Sequence, residues 1–313
     1  MSILIALQGW DPAEWVQRFA RLAPSREIVV WPQGSDYSDI RYAVTWKPPK
    51  GLLPSLPRLE AMFSLGAGVD AMLADPDLPD TPLVRIVDPN LTGRMTEWVT
   101  LQVLAHHRLH RVYDNQQREG RWRPIGQPSA GAVGVGIMGL GVLGSDSALA
   151  LTRLGFDVAG WSRTPKSIDG VLCFHGEDGL ERFLARTDIL VVLLPLTPET
   201  DGLVDYSLLG RLRRDNHMGG AVLINAGRGR LQVEADILRA ADEDILSGAT
   251  LDVFHEEPLP DDSRFWHHPK ITVTPHVAAE SDPDYLCAYI VRQIDNHEAG
   301  RGLENVVDRT RGY

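Results

Sequence analysis

Residues 132–144 read Ala-Val-Gly-Val-Gly-Ile-Met-Gly-Leu-Gly-Val-Leu-Gly, and this stretch carries the strongest fold signal in the chain. The apolar run Ala132–Met138 predicts a buried strand, and Leu143–Leu154 predicts a helix. Between them, the spacing Gly-x-Gly-x-x-Gly falls on Gly139, Gly141 and Gly144. In this strand–turn–helix context the three glycines predict a tight turn that lets the backbone approach a dinucleotide pyrophosphate and the helix pack closely on the strand. A glycine-rich turn without a ligand is the alternative.

Apolar strand-like runs alternate with helical patterns on both sides of this turn. Such alternation predicts an α/β fold with parallel sheets that carry helices on their faces. The length of 313 residues suits two domains. The predicted strands are Ser2–Leu7, Glu27–Trp31, Tyr42–Trp46, Ala61–Leu65, Leu83–Val87, Ala132–Met138, Phe156–Trp161, Asp188–Leu194, Ala221–Asn225, Ala249–Phe254 and Ile271–Thr274.

A long helix is predicted from about Arg94 to Arg118, and a terminal helix from about Tyr285 to Glu298. Two histidines, His106 and His110, lie four residues apart on the long helix. No acidic or cysteine partner completes a ligand set there, so solvated residues are predicted and no metal site. The apolar stripe of the long helix is predicted at Trp98, Leu101, Val103, Leu104 and Leu109.

Composition indicates a soluble globular protein, with 43% hydrophobic and 23% charged residues. The formal net charge of −11 argues against a general nucleic-acid or acidic-membrane surface. The two cysteines, Cys173 and Cys287, lack metal-ligand spacing and are predicted to be reduced thiols. No apolar run is long enough to span a membrane, and the N-terminus has no basic signal region. A cytoplasmic protein is therefore expected.

The end of the second strand of the nucleotide domain distinguishes between the two nicotinamide cofactors. A site for NAD places Asp or Glu there, about 20 residues after the glycine turn, to bind the ribose 2′-hydroxyl. Here the strand end reads Trp-Ser162-Arg163-Thr164, and Asp157 lies at the wrong end of the strand. A guanidinium and two hydroxyls suit a 2′-phosphate, which predicts NADPH. The alternative is that Arg163 is a solvated loop charge.

Three polar signatures each follow an apolar strand-like run: Asn-Ala-Gly-Arg228-Gly, His-Glu-Glu257-Pro-Leu-Pro and Thr-Pro-His276-Val-Ala. Sites in open α/β sheets form outside the carboxyl ends of strands, so the three groups are expected to face one cleft. His276 suits proton donation to a reduced ketone, and Glu257 would orient its ring and favour the protonated form. The planar fork of Arg228 could bridge the carboxylate and keto oxygen of a 2-keto acid. Taken singly, a structural histidine and a solvated arginine are the alternatives.

In this order, the glycine turn and the three signatures resemble the D-2-hydroxyacid dehydrogenase family, over nearly the whole chain. The resemblance implies that Arg228, Glu257 and His276 are catalytic. It also implies a Rossmann cofactor domain, residues 98–279, inserted into a flavodoxin-like substrate-binding domain made of residues 1–97 and 280–313. Both domains would be doubly wound parallel sheets, and the terminal helix would return to the first domain.

The resemblance also implies a set of cofactor contacts. The segment from Leu194 to Thr200 resembles the one that covers the nicotinamide ribose, although a plain proline-rich turn is the alternative. Asp252 resembles the residue that binds the nicotinamide carboxamide, and a structural Asp that caps the next loop is the alternative. The full predicted set is Gly139, Gly141, Val142, Leu143, Gly144, Ser162, Arg163, Thr164, Leu194, Pro195, Thr200, Ala226 and Asp252.

On the substrate side, the run Gly66-Ala67-Gly68 follows a strand and resembles the loop whose backbone N–H groups receive the substrate carboxylate. A simple glycine-rich turn is the alternative. Trp46 would stand at the mouth of the same cleft, and Met95 where the chain crosses between domains. Both would narrow the pocket to small substrates, or both are packing residues.

Further segments resemble the glyoxylate/hydroxypyruvate reductase branch, among them Trp46-Lys-Pro-Pro, Trp161-Ser-Arg and Phe265-Trp266. The branch implies an NADP-dependent oxidoreductase that reduces glyoxylate to glycolate and hydroxypyruvate to D-glycerate. A dehydrogenase for bulkier 2-keto acids is the nearer alternative, and a cofactor-sensing scaffold or corepressor the more distant one. Gly120-Arg-Trp122 resembles a subunit-interface segment, which implies a homodimer with Trp122 near the active site of the partner subunit.

Overall fold

The structure, a computed structural model, describes residues 2–34 and 36–312. The chain forms two compact units. The first unit comprises Met1–Leu91 with Ser281–Tyr313, and the second comprises Thr92–Glu280. Each unit contains one sheet whose strands all pair in parallel, so the predicted pair of parallel α/β domains is confirmed. The units divide at positions 91/92 and 280/281, whereas the sequence placed the boundaries at 97/98 and 279/280.

The strands are β1 (Ser2–Leu7), β2 (Glu27–Val30), β3 (Ile40–Trp46), β4 (Ala61–Ser64), β5 (Leu83–Val84), β6 (Gly134–Met138), β7 (Asp157–Ser162), β8 (Leu172–His175), β9 (Ile189–Val192), β10 (Ala221–Asn225), β11 (Leu246–Leu251) and β12 (Ile271–Val273). The helices are α1 (Ala13–Leu22), α2 (Asp70–Leu73), α3 (Pro89–His107), α4 (His110–Arg118), α5 (Val142–Arg153), α6 (Gly176–Leu184), α7 (Tyr206–Gly210), α8 (Glu234–Asp242) and α9 (Pro283–Glu298). Every predicted strand is present.

The sheet of the first unit has the strand order β2-β1-β3-β4-β5, which is the flavodoxin-like order. Successive residues of β1 face opposite sides of the sheet: Ile3 and Ile5 lie in one apolar cluster, Leu4 and Ala6 in another. Burial on both faces explains why this strand is a continuous apolar run. The terminal helix α9 packs in the same cluster as α1, through residues that include Ile290.

The sheet of the second unit has the order β12-β11-β10-β9-β6-β7-β8. Numbered from β6, this is the Rossmann order with one further strand at the edge. The order reverses between β6 and β9, so ligands are expected outside the carboxyl ends of the strands near that point. The edge strand β8 was not predicted. Its residues are only partly buried, and an edge strand of this kind leaves no apolar run in the sequence.

The long predicted helix is wrong in two respects. It is broken, because Leu109 adopts a left-handed conformation with φ of 54° between α3 and α4. Its apolar stripe is also only partly as predicted: Trp98 and Leu104 pack against the core, but Leu101 is 60% exposed. The buried positions are Met95, Val99, Val103 and His107. These follow a spacing of four residues, which places them on one side of the helix.

The prediction that His106 is solvated is wrong as well. Its ring lies over Gly248 of β11, and its Nε2 is 2.9 Å from the hydroxyl of Thr250. Burial lowers the pKa of His106 to about 4, so the ring is neutral near pH 7. His110, by contrast, is exposed, beside Asp114.

Membrane-spanning helices, metal-binding clusters and disulfide bonds are absent from the part of the chain that the structure describes. Among residues 2–34 and 36–312, none of the helices is both long and apolar enough to cross a bilayer. Within the same ranges, no cluster of three or more His, Cys, Asp and Glu side chains is arranged to hold a metal ion. Cys173 and Cys287 are both free thiols.

Candidate active site

The glycine turn joins β6 to α5. Gly139 has φ of 113°, and a Cβ atom there would lie 2.7 Å from the backbone of Leu193. A Cβ atom on Gly144 would overlap the carbonyl oxygen of Gly139. Gly141 instead has nothing within 4 Å of a built Cβ atom, so the space beside it is open. Two glycines thus permit the turn and the close helix packing, and the third leaves room for a ligand, as a pyrophosphate requires.

The predicted 2′-phosphate contacts lie where β7 ends. The hydroxyl of Ser162 donates to the carbonyl oxygen of Thr164 at 2.8 Å and so shapes the turn that carries Arg163. Arg163 and Thr164 are exposed. The pKa of Glu199 is lowered mainly by a hydrogen bond with Thr197, and the charge of Arg163 lowers it further. The guanidinium of Arg163 therefore lies close enough to Glu199, in the segment after β9, to influence the pKa of that carboxyl group.

That segment, which runs from Leu194 to Thr200, folds back on itself. The hydroxyl of Thr200 donates to the carbonyl oxygen of Pro195 at 2.8 Å and accepts from the backbone N–H of Thr197 at 2.8 Å. The carbonyl oxygen of Leu194 would be 3.0 Å from a Cβ atom on Gly227, which places the segment beside the loop after β10. A long hydrogen bond, 3.3 Å from the N–H of Ala226 to the carbonyl oxygen of Val192, links the end of β10 to the end of β9.

Asp252 follows β11 and is buried, at 1% exposure. Its carboxylate accepts hydrogen bonds from the hydroxyl of Thr274 at 2.5 Å and from the backbone N–H groups of Val277 and Ala278, each at 2.9 Å. Burial raises the pKa of Asp252, and these three bonds oppose that rise. The carboxylate therefore holds the loop that carries His276. This matches the structural alternative, and the cofactor contact stays a prediction.

Arg228 follows β10 in a loop held by buried amides. Asn225 Nδ2 donates to the carbonyl oxygen of Arg228 at 3.2 Å and to Gln232 Oε1 at 2.8 Å. Gln232 Nε2 in turn donates to the carbonyl oxygen of Val253 at 3.0 Å, which ties this loop to the one after β11. The half-buried Arg228 side chain donates from Nη1 to the carbonyl oxygen of Gly227 at 2.8 Å. The sequence analysis assigned no role to Asn225 or Gln232. Asn225 could have been identified, because a polar side chain at the end of an apolar strand-like run indicates a candidate site residue.

Glu257 and His276 form a hydrogen-bonded pair. His276 Nδ1 lies 2.8 Å from Glu257 Oε2, and the other oxygen, Oε1, accepts from the backbone N–H of Phe254 at 3.1 Å. His276 has φ of 55°, and its backbone N–H donates to the carbonyl oxygen of Asp252 at 2.9 Å. The carboxylate is thus fixed by its own loop and in turn orients the ring. The ring is 40% exposed, so it is accessible to a small molecule.

The predicted substrate residues fall in different places. In the first unit, Trp46 ends β3 and its indole lies so close to Gly66 that a Cβ atom there would overlap it. The hydroxyl of Ser64 donates to the carbonyl oxygen of Gly66 at 3.1 Å and accepts from its N–H at 3.3 Å, and it also contacts the carbonyl oxygen of Gly68. Ala67 lies between them, partly exposed. In the second unit, Met95 is buried in the core, as its packing alternative predicts.

This chain is similar to known proteins over its full length. The family model for D-isomer specific 2-hydroxyacid dehydrogenase, NAD binding domain, matches residues 100–278. Glyoxylate/hydroxypyruvate reductase A of Yersinia enterocolitica is 39% identical, and that of Escherichia fergusonii is 40% identical, each over 100% of both chains.

Two solved structures are similar over the full length. An NADPH-dependent glyoxylate/hydroxypyruvate reductase from Sinorhizobium meliloti, in complex with NADP and sulfate, is 48% identical with a TM-score of 0.95. A D-isomer specific 2-hydroxyacid dehydrogenase from Xanthobacter autotrophicus, in complex with NADPH and MES, is 41% identical with a TM-score of 0.93. Each comparison covers 100% of this chain and 99% of the other. The protein therefore belongs to the D-isomer specific 2-hydroxyacid dehydrogenase family, as its glycine turn and three strand-end signatures predicted.

Proposed function

We propose that this protein is an NADPH-dependent reductase of small 2-keto acids, which converts glyoxylate to glycolate and hydroxypyruvate to D-glycerate. The observation that carries the proposal is the pair formed by Glu257 and His276, with its 2.8 Å contact between imidazole and carboxylate. Support for the substrate class comes from full-length relatives named glyoxylate/hydroxypyruvate reductase. We place the enzyme in the cytoplasm, as its two free thiols favour.

The residues for NADPH are those around the glycine turn and the end of β7. Gly141 leaves open space next to the N-terminus of α5, where N–H groups and the helix dipole favour a pyrophosphate. The turn Ser162–Thr164 offers Arg163 and no carboxylate, which suits the 2′-phosphate of NADPH. The bound cofactor supplies a hydride to the carbonyl carbon of the substrate.

His276 supplies the proton that the carbonyl oxygen needs when it becomes an alkoxide. Glu257 holds Nδ1, so the proton is transferred from the other ring nitrogen, Nε2. The carboxylate also keeps the ring in one orientation for this transfer. The planar guanidinium of Arg228 attracts the carboxylate and keto oxygen of the substrate. In the first unit, we propose that the backbone N–H groups of Ala67 and Gly68 bind a carboxylate, since the N–H of Gly66 already donates to Ser64 Oγ.

The function is tested by following NADPH oxidation optically with a panel of 2-keto acids. We expect the highest kcat/KM with glyoxylate and hydroxypyruvate, lower values with phenylpyruvate and 2-ketoisocaproate, and a lower KM for NADPH than for NADH. Preference for phenylpyruvate would favour the alternative for bulkier substrates. Equal or better use of NADH would contradict the role given to Arg163. No oxidation with any 2-keto acid would favour a scaffold instead of an enzyme.

We also propose a homodimer in which Trp122 reaches the active site of the partner subunit. The side chain of Trp122 is 99% exposed, and Leu101 of α3 is 60% exposed. A fully exposed indole is suited to a surface that another chain covers, because tryptophan is enriched at protein interfaces.

The dimer predicts a single elution peak of twice the chain mass at micromolar concentration. Trp122→Ser should shift the peak towards the monomer and lower turnover, because it removes a large apolar contact. Trp266→Ser is the matched control, since that indole is 45% exposed and lies in a different segment, the short 3₁₀ helix Arg264–His267. A wild-type monomer, or a Trp122 variant that elutes and turns over like the wild type, would contradict the proposal.

A further inference from the structure

Three indoles are stacked in the first unit. Trp10 lies over Trp46 with 4.6 Å between ring centroids and 15° between the planes, and over Trp15 with 5.9 Å and 11°. Trp10 follows β1 and Trp46 ends β3, and these strands are neighbours in the sheet. The backbone N–H of Gln8 donates to the carbonyl oxygen of Trp46 at 3.0 Å, which continues the pairing beyond β1. The stack therefore forms at the carboxyl ends of two adjacent parallel strands.

The ring of Trp46 is confined from several directions. Trp10 covers its face, and the ammonium of Lys47 lies 5.7 Å from its centroid. Its edge, at Cζ3 and its neighbours, contacts Gly66 so closely that the glycine has no room for a side chain. Because Gly66 begins the loop proposed to receive the substrate carboxylate, the position of the indole determines where that loop can lie.

Trp10 is the part of this stack that the fold itself does not require. Trp15 is buried in the core of the unit, whereas Trp10 is 40% exposed on a bend after β1. An exposed indole on a loop adds little to the core. It stacks on two aromatic faces, those of Trp15 and Trp46, and stacking of this geometry favours one fixed ring position.

We propose that Trp10 is a positioning residue for the 2-keto acid: it holds the indole of Trp46 against Gly66 and thereby fixes the loop Gly66–Gly68 and the width left for the substrate's side chain. This inference rests on the proposed function. The two small substrates differ only beyond the keto carbon, where glyoxylate carries hydrogen and hydroxypyruvate a hydroxymethyl group. An indole of Trp46 that is held in one position excludes substituents on the keto carbon that are larger than hydrogen or a hydroxymethyl group.

The test is steady-state kinetics of Trp10→Ala. We expect KM for glyoxylate and hydroxypyruvate to rise about 3- to 10-fold, the range expected from loss of one aromatic pair. We expect kcat and KM for NADPH to stay close to wild type, and activity with phenylpyruvate relative to glyoxylate to rise. Trp10→Phe retains a stacking ring and should restore most of the wild-type KM.

Leu22→Ala is the control, because Leu22 belongs to the same unit, is 38% exposed and ends α1 away from the stack. It should leave all parameters unchanged. If the wild type is active and Trp10→Ala has unchanged KM and substrate preference, the inference alone is overturned. If Trp10→Ala lowers kcat and raises KM for NADPH as well, and Trp10→Phe does not restore them, Trp10 has a general structural role and the inference is overturned. A wild type that reduces no 2-keto acid overturns the proposed function and this inference together.

Discussion

His276→Ala lowers kcat for reduction of glyoxylate by about 10²–10⁴-fold, the range that general acid catalysis contributes. The dissociation constant for NADPH stays near its wild-type value. The ring is partly exposed and lies outside the apolar clusters, so its removal takes away the proton donor and little packing. Glu257 remains fixed, since Oε1 still accepts from the backbone N–H of Phe254.

A second variant is needed because the backbone at position 276 is in the left-handed region. With φ of 55°, alanine is strained there, whereas asparagine tolerates the left-handed region well. His276→Asn should therefore keep the loop and still lack an acid of suitable strength. Kinetics and NADPH binding by fluorescence are measured for both variants, with the exposed His267→Ala as control. Turnover within about twofold of wild type in His276→Asn would refute the assignment, given the expected size of the acid's contribution.

The fold was predictable because its signals are local. Strands such as β1 and β10 are buried on both faces, so they appear as continuous apolar runs. The glycine spacing at Gly139–Gly144 reflects close contacts within one short turn. The face of α3 was predicted only in part, because Leu101 is as apolar as the residues that pack on the core, Trp98 among them. Only packing decides that Val99 is buried and Leu101 exposed.

The residues of the site could be predicted where their side chains directly follow a strand of the sheet. The pairing of Glu257 with His276 required only that β11 and β12 be parallel neighbours, and the structure pairs them. Asp252 had two plausible roles, and its three bonds to the loop of His276 depend on contacts across 22 or more residues. The stack of Trp10 on Trp46 is likewise a tertiary contact without a sequence pattern.

Arg228→Gln lowers kcat/KM for glyoxylate by about 10²–10³-fold, the loss typical of removing one preorganised electrostatic group from a reacting oxygen. The substrate carboxylate and the developing alkoxide both lose a cationic partner, so KM rises and kcat falls together. NADPH binding should change little, because the residues proposed to hold its phosphates are Gly141 and those at the end of β7. Arg228→Lys should recover part of the loss, since lysine keeps the charge and lacks the planar fork.

Arg230 provides a matched control two residues away. It is exposed, and its guanidinium is already paired with Asp201, with Nε 3.3 Å from Oδ1. Arg230→Gln removes the same charge from the same loop, yet it should change kcat/KM by less than about threefold, because an exposed ion pair contributes little. Asn225 and Gln232 hold the loop in both variants. Equal losses in the Arg228 and Arg230 variants would mean that the net charge of the loop matters and that Arg228 has no specific contact with the substrate.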